Sequence, residues 1–338
     1  MAGTVIATII MIGVLIFAHE FGHYIVARLT GIRVLEFAIG FGKEIIGWEK
    51  GGTRYSLRLL PLGGFCRMLG EDPEDAVAEG SFQEKPVLSR LAVIAAGSGM
   101  NFVLAIILFA FMYFFFLGVP QTDTTEIGQV FADGPASEVG IQEGDQVLAI
   151  NNTEVNQWDE VVSVINAHPE QEIAMTIMRG DTVVEKTVVP QDDEGIGLIG
   201  IAPVAQKYAF FSSIYLGITY TGFLIQLIFV SLFQMIVGSI PADVAGPVGI
   251  GAVVGEAMQE GVVNLVSLAA IISVNLGIIN LLPIPALDGS RIMFLILEGI
   301  RGKPIDPQKE GFIHFIGFTL LILIMILVVF QDIRRLIL

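Results

Sequence analysis

Ile16-Phe17-Ala18-His19-Glu20-Phe21-Gly22-His23-Tyr24-Ile25-Val26 is the stretch on which the reading of this chain turns. The run around it, Thr4 to Leu29, is otherwise apolar and long enough to span a bilayer. A carboxylate in the middle of such a helix costs roughly 2.5–3.5 kcal/mol on insertion scales, so an ionisable cluster placed there points to a functional site. The segment lacks a basic leader, runs too long for a signal sequence and carries His19, Glu20 and His23 where a cleavage site would fall. It reads as a retained helix.

Working outward, 54% of the 338 residues are hydrophobic and 15% charged, whereas soluble domains carry about 25% charged residues. The chain therefore reads as a polytopic α-helical membrane protein. Four segments, about 4–28, 91–119, 262–288 and 312–331, have the roughly 20 apolar residues of a crossing. A fifth, Ala209 to Gly238, is equally apolar. Charge arbitrates its path: nine Lys/Arg lie between residues 27 and 90, whereas residues 121–208 hold three against sixteen Asp/Glu. The first loop is then cytoplasmic and the acidic segment exterior. If 209–238 crossed fully, the basic loop of Arg291, Arg301, Lys303 and Lys309 would fall outside, so the expectation is about four transmembrane helices plus an interfacial or re-entrant helix at 209–238. Arg334 and Arg335 fall outside in this arrangement and weigh slightly against it. The acidic exterior argues against nucleic acid as a partner. A single cysteine, Cys66, read as a loop thiol, excludes intrachain disulfides, and Glu71-Asp72-Pro73-Glu74-Asp75 reads as a solvated loop. The resulting divisions are 1–120, 121–208, 209–261 and 262–338.

His19 and His23 stand at i and i+4, so both imidazoles leave one helix face about a turn apart and can ligate one zinc ion. Glu20 flanks that face, placed as general base towards a water whose pKa zinc lowers to about 7. A catalytic zinc site usually has three protein ligands and an open position. Val26 and Leu29, where a third histidine could fall, are barren. Glu44 is available but lies in the basic loop. Asp288, in Asn280-Leu281-Leu282-Pro283-Ile284-Pro285-Ala286-Leu287-Asp288-Gly289, is the stronger candidate, because Pro283 and Pro285 break that span and let the backbone turn a side chain inward. Asn275 and Asn280, amides in an apolar helix, are candidates for hydrogen bonds to a substrate backbone or an oxyanion. His168 and His314 lack motif partners and are left out of the site.

Between the spans, residues 121–208 alternate short apolar runs with Gly-Asp and Asn-Asn turns, as a small soluble domain does. Gly134 to Asn151, with a Gly144-Asp145 turn into Gln146-Val147-Leu148-Ala149-Ile150, resembles the PDZ family, which implies an inserted PDZ-like α/β domain able to take peptide tails as an added strand. Excluding bulky substrates by size is the competing role.

H-E-F-G-H in the first span, N-L-L-P-I-P-A-L-D-G much later and a PDZ-like insert between them resemble the site-2 protease family of intramembrane zinc metalloproteases over nearly the whole chain, closest to its bacterial envelope-stress branch of RseP type. The resemblance implies His19, His23 and Asp288 as ligands of one zinc, Glu20 as general base and acid, and a substrate role for Asn280. It implies single-pass membrane substrates, such as anti-sigma factors or remnant signal peptides, and a bacterial cytoplasmic membrane location with the active site towards the cytoplasm. It also marks Arg58-Leu59-Leu60-Pro61-Leu62-Gly63-Gly64-Phe65 as a hairpin dipping towards the site, and Gly246-Pro247-Val248-Gly249-Ile250 as the loop before the third core span. Thr53 to Leu59 alternates as a strand should, with Gly63-Gly64 as its turn. Ser98 and Ser290 stand where the family usually has proline and glycine. The competing classes are a membrane scaffold with a structural metal and a metal transporter. The transporter is disfavoured because one pair of spans alone carries polar ligands.

Overall fold

The computed structural model describes residues 2–71, 78–240 and 246–337, so of the acidic patch only Glu71 lies within the described residues. The chain opens with α1 (Ala2–Leu29), the strands β1 (Val34–Lys50) and β2 (Thr53–Met68), and α2 (Val87–Phe115). An inserted unit, Tyr113–Phe210, follows. The membrane unit resumes with α5 (Phe210–Ile236), α6 (Pro247–Glu260), α7 (Val262–Leu281), α8 (Asp288–Arg301) and α9 (Pro307–Ile337). Among the described residues, α1, α2, α5, α7 and α9 are long and apolar enough to cross a membrane. The third expected span is shorter than its sequence limits: α7 stops at Leu281, Pro283 and Pro285 interrupt the backbone, and Asp288 starts a new helix.

The helices meet where side chains are absent. A Cβ on Gly22 would stand 2.1 Å from the Ala96 carbonyl oxygen, which fixes the approach of α1 to α2. The segment 209–238 forms one unbroken helix, α5, whose Gly217 packs on Ile106 and Ala110 of α2. Asp332, buried near the end of α9, accepts the backbone N–H groups of Gly246 (3.2 Å) and Gly249 (2.8 Å) and so caps α6 from 86 and 83 residues away.

β1 and β2 are each bent back on themselves. Residues 34–39 pair on one side with 64–68 and on the other with 54–57, which in turn pair with 46–50, giving a small antiparallel sheet from two strands. Its tight turn is at Gly51-Gly52, both with positive φ, and not at Gly63-Gly64, which lie within β2. Those two glycines serve close approach instead: a Cβ on Gly63 would strike the Phe41 ring, and one on Gly64 would stand 3.2 Å from Glu20 Cγ. Cys66 is a buried strand residue rather than a loop thiol, and burial, followed by the nearby Glu20 and Glu71, pushes the thiol pKa up.

Within the inserted unit come β3 (Gly118–Pro120), β4 (Ile127–Val130), α3 (Pro135–Glu138), β5 (Gln146–Ile150), β6 (Thr153–Glu154), α4 (Trp158–Asn166), β7 (Ile173–Arg179), β8 (Thr182–Val188), β9 (Gln191–Asp193), β10 (Ile196–Leu198), β11 (Ile201–Pro203) and β12 (Ala205–Lys207). Its largest sheet has the order β6-β5-β7-β8, and alternation buries Val147, Ile150, Ile173, Met175 and Ile177 against Trp158, Val161 and Ile165 of α4. Asp145 accepts both Nε (2.7 Å) and Nη2 (2.7 Å) of Arg179. Burial opposes its charge, but that pairing and the Gln142 N–H hold its carboxyl below the ordinary range.

Candidate metal centre

α1 carries His19 and His23 one turn apart, both buried, with rings crossing edge to face at 4.9 Å. The break after α7 returns Asp288 at the first turn of α8. Its Oδ2 stands 3.1 Å from His19 Nε2 and 3.4 Å from His23 Nε2, while the two Nε2 atoms are 3.3 Å apart. His23 Nδ1–H donates to the Val93 carbonyl oxygen at 2.8 Å, so its Nε2 presents a lone pair. Two acceptor atoms, His23 Nε2 and Asp288 Oδ2, thus converge with His19 Nε2, and among the described residues Asp288 Oδ2 is buried with no hydrogen-bond partner. Among the described residues this is the one cluster of three metal-ligating side chains. Tetrahedral zinc with bonds of about 2.0–2.1 Å has edges of about 3.3 Å, so the triad fits that ion. Gly97 completes the cradle, since a Cβ there would lie 2.3 Å from His23 Nε2.

Glu20 points towards β2, where Gly64 lets the sheet come up to its side chain. Glu44 is engaged by Arg54 at 2.7 and 3.0 Å on the hairpin and is no part of the cluster. Asn280 Nδ2 lies 3.5 Å from His19 Nδ1, beside the cluster, whereas Asn275 donates its amide to the Ile271 carbonyl one turn back. Arg58 reaches Glu36 (2.7 Å), the Gly42 carbonyl (3.1 Å) and the face of Phe65, so it braces the hairpin from within. Pro61 lies on β2, and its side chain is outside the described residues. Ser290 is accommodated by a bond to the Leu287 carbonyl, 2.8 Å. Ser98 is buried with its hydroxyl unpaired among the described residues, and nothing in the structure explains it.

Two participants carry no signal in the sequence. Ala286 takes φ +79, rare for a residue with a Cβ, and its N–H donates to Nδ1 of His314 at 3.1 Å. His314 of α9 therefore holds the loop that delivers Asp288, aided by Gly317, whose missing side chain makes room for Pro285. Asn101 of α2, fully buried, lies 3.2 Å from His19 Nδ1. Beside Asp288 opens a cavity of about 780 Å³ lined by Glu71, Arg90, Arg291, Glu298, Glu310 and His314.

Fold and site together define a polytopic helical membrane protein with an H-E-x-x-H pair and an aspartate gathered into one cluster that could hold a metal ion. Residues 7–324 match the model of peptidase family M50, and the chain belongs to that family. It is 37% identical to Zinc metalloprotease RasP of Bacillus licheniformis and 35% identical to Regulator of sigma-W protease RasP of Bacillus subtilis, in each case over 98% of this chain and 99% of the relative. Zinc metalloprotease RasP of Geobacillus kaustophilus is 34% identical over 98% of both chains. Among solved structures, the PDZ domain of an SdrC-like protein from Listeria monocytogenes aligns with 24% of this chain and 88% of its own length, at 22% identity and a TM-score of 0.23.

Proposed function

We propose that this multi-pass bacterial membrane protein is a zinc endopeptidase that cleaves the membrane-spanning segments of single-pass proteins, with anti-sigma factors or remnant signal peptides as the substrate class. The observation that carries the reading is the convergence of His19, His23 and Asp288, with Glu20 beside them, inside a helix bundle. A zinc ion held by His19, His23 and Asp288 would supply Lewis acidity towards the scissile carbonyl and lower the pKa of the attacking water. Glu20 takes the proton of that water and returns it to the leaving nitrogen. Asn280 donates from its amide to the substrate carbonyl oxygen as charge develops there.

A helical peptide bond is shielded, so the substrate must be drawn out. Gly64 to Cys66, the end of the sheet nearest Glu20, pair with 37–39 on one side, and among the described residues no further strand pairs with their other edge. An unwound substrate segment adds there as a strand, beside the base. The ion-lined cavity next to Asp288 admits water from the α8 side.

The expected topology has an exterior amino terminus and inserted domain, with the metal centre towards the cytoplasm. Gly246 is bonded to Asp332, 18 residues or about 27 Å of helix from His314 at the Asp288 loop. A full crossing by α5 would put Gly238 and Gly246, eight residues apart in the chain, near opposite faces of the membrane, a distance that eight residues reach only when fully extended, which supports an interfacial α5.

For the inserted domain, size exclusion is favoured over peptide docking. Gly200 and Val204 bond towards β4, so Ile201 and Pro203 alternate to the outer edge of β11, and Pro203 has no N–H to offer an added strand.

Glu20→Gln is the direct test. The variant should fold, retain one zinc per chain and lose cleavage of a model membrane-spanning substrate by at least about 10²-fold, the scale of general-base catalysis. Persisting cleavage would remove Glu20 from the reaction.

A further inference from the structure

A histidine that offers Nε2 to a metal keeps its proton on Nδ1, and that proton needs an acceptor. His23 has one in the Val93 carbonyl. Two amides approach His19 Nδ1, Asn101 at 3.2 Å and Asn280 at 3.5 Å, each through Nδ2. An N–H cannot bond an N–H. The oxygen and nitrogen of an amide exchange places on a half-turn of the group with no change of shape. Among the described residues Asn101 Oδ1 is buried without a partner, and the half-turn sets it against Nδ1–H, with Nδ2 taking over the buried position that has none.

We infer that Asn101 is the positioning residue of His19: its Oδ1 accepts the Nδ1 proton and holds the imidazole with Nε2 towards His23 and Asp288. The inference rests on the metal-centre reading above.

The backbone is arranged for it. Val93, Gly97 and Asn101 recur every fourth residue along one face of α2, opposite His23 and His19, which are also four apart. One face of α2 thus orients His23 through a carbonyl, leaves a gap at Gly97 and orients His19 through an amide. Asn101 is itself anchored, its carbonyl accepting Ser273 Oγ at 2.8 Å from α7. Asn280, further from Nδ1 and only partly buried, keeps its amide for substrate.

The test uses the full-length protein in detergent and reads zinc affinity by competition with a chromophoric chelator, together with the visible spectrum of the cobalt(II)-loaded protein. Asn101→Asp keeps an acceptor, whereas Asn101→Ala and Asn101→Leu remove it. The two acceptor-less variants should bind zinc roughly 10–100-fold more weakly and show an altered cobalt spectrum, while Asn101→Asp stays within about threefold of the parent with its spectrum intact. An amide that merely tied α2 to α1 would not sort the variants by acceptor. If Asn101→Leu loses its thermal transition, Asn101→Ala carries the comparison. Parental affinity in Asn101→Ala, or equal weakening in Asn101→Asp, overturns the inference. His19→Ala separates the layers: if it binds zinc as the parent does, the metal-centre reading itself fails, whereas weakening in His19→Ala without weakening in Asn101→Ala sinks only the role of Asn101.

Discussion

At the scale of the residue, the centre depends as much on what is missing as on what is present. Gly97 is the clearest instance, since an added methyl would stand 2.3 Å from His23 Nε2 and 2.8 Å from His19 Cε1. The α-helix itself tolerates alanine, indeed prefers it by about 1 kcal/mol over glycine, so the substitution strikes the site rather than the helix. Gly97→Ala should therefore leave the protein folded while depleting bound zinc and abolishing cleavage. Metal analysis after gel filtration checks this, and a full complement of zinc would show that the cradle is not filled by the ligand nitrogens. The candidate ligands could be picked out in the sequence because H-E-x-x-H is a local spacing and Asp288 is the one acidic residue of the proline-broken stretch 262–288. Asn101 and His314 could not, because an amide and an imidazole in apolar helices gain meaning only from residues 82 and 28 positions away.

At the scale of the element, the loop from Leu282 to Leu287 and the outer edge of β11 each make a prediction. His314→Phe keeps a ring at the same place and removes the acceptor of the Ala286 N–H, leaving a half-buried donor unmet. Cleavage should fall about tenfold, and Ala286→Gly in the same chain should recover part of it by relieving the positive φ. Initial rates on one substrate decide; an unchanged rate in His314→Phe would show that the loop holds itself. For β11, Pro203 predicts that tail peptides added at millimolar concentration do not compete with substrate, whereas a folded domain fused to the exterior end of the substrate blocks its cleavage. Micromolar inhibition by any tail peptide would restore peptide docking. The hairpin shows how element boundaries escape pattern reading: alternation marked Thr53 to Leu59 as strand, but Gly63-Gly64 looked like a turn because a glycine pair signals either freedom of φ or closeness of approach. The neighbours, Phe41 and Glu20, decided for closeness.

At the scale of the whole molecule, the path of α5 remains the most consequential feature for topology. Composition alone makes it equivalent to the other long helices, since length and apolarity suit both a crossing and an interfacial bed. Asp332 supplies a further constraint by tying the end of α9 to the start of α6. With α5 interfacial, single cysteines placed at Ser239 and at Ser212 should both react with a membrane-impermeant thiol reagent from the exterior side of intact cells, the buried Cys66 providing a silent background. Labelling of the Ser239 position from the cytoplasmic side alone would make α5 a full span.

Composition and short-range periodicity suffice for the apolar helices, the histidine pair one turn apart, the proline break before Asp288 and the acidic insert with its own alternating core. What the tertiary structure alone decided is how these pieces meet. The Val93, Gly97 and Asn101 face against the histidines, the His314 hold on Ala286, the cap from Asp332 and the doubled-back hairpin all join residues far apart in the chain. A hydrogen bond between distant helices leaves no period in either, so only their packing reveals it.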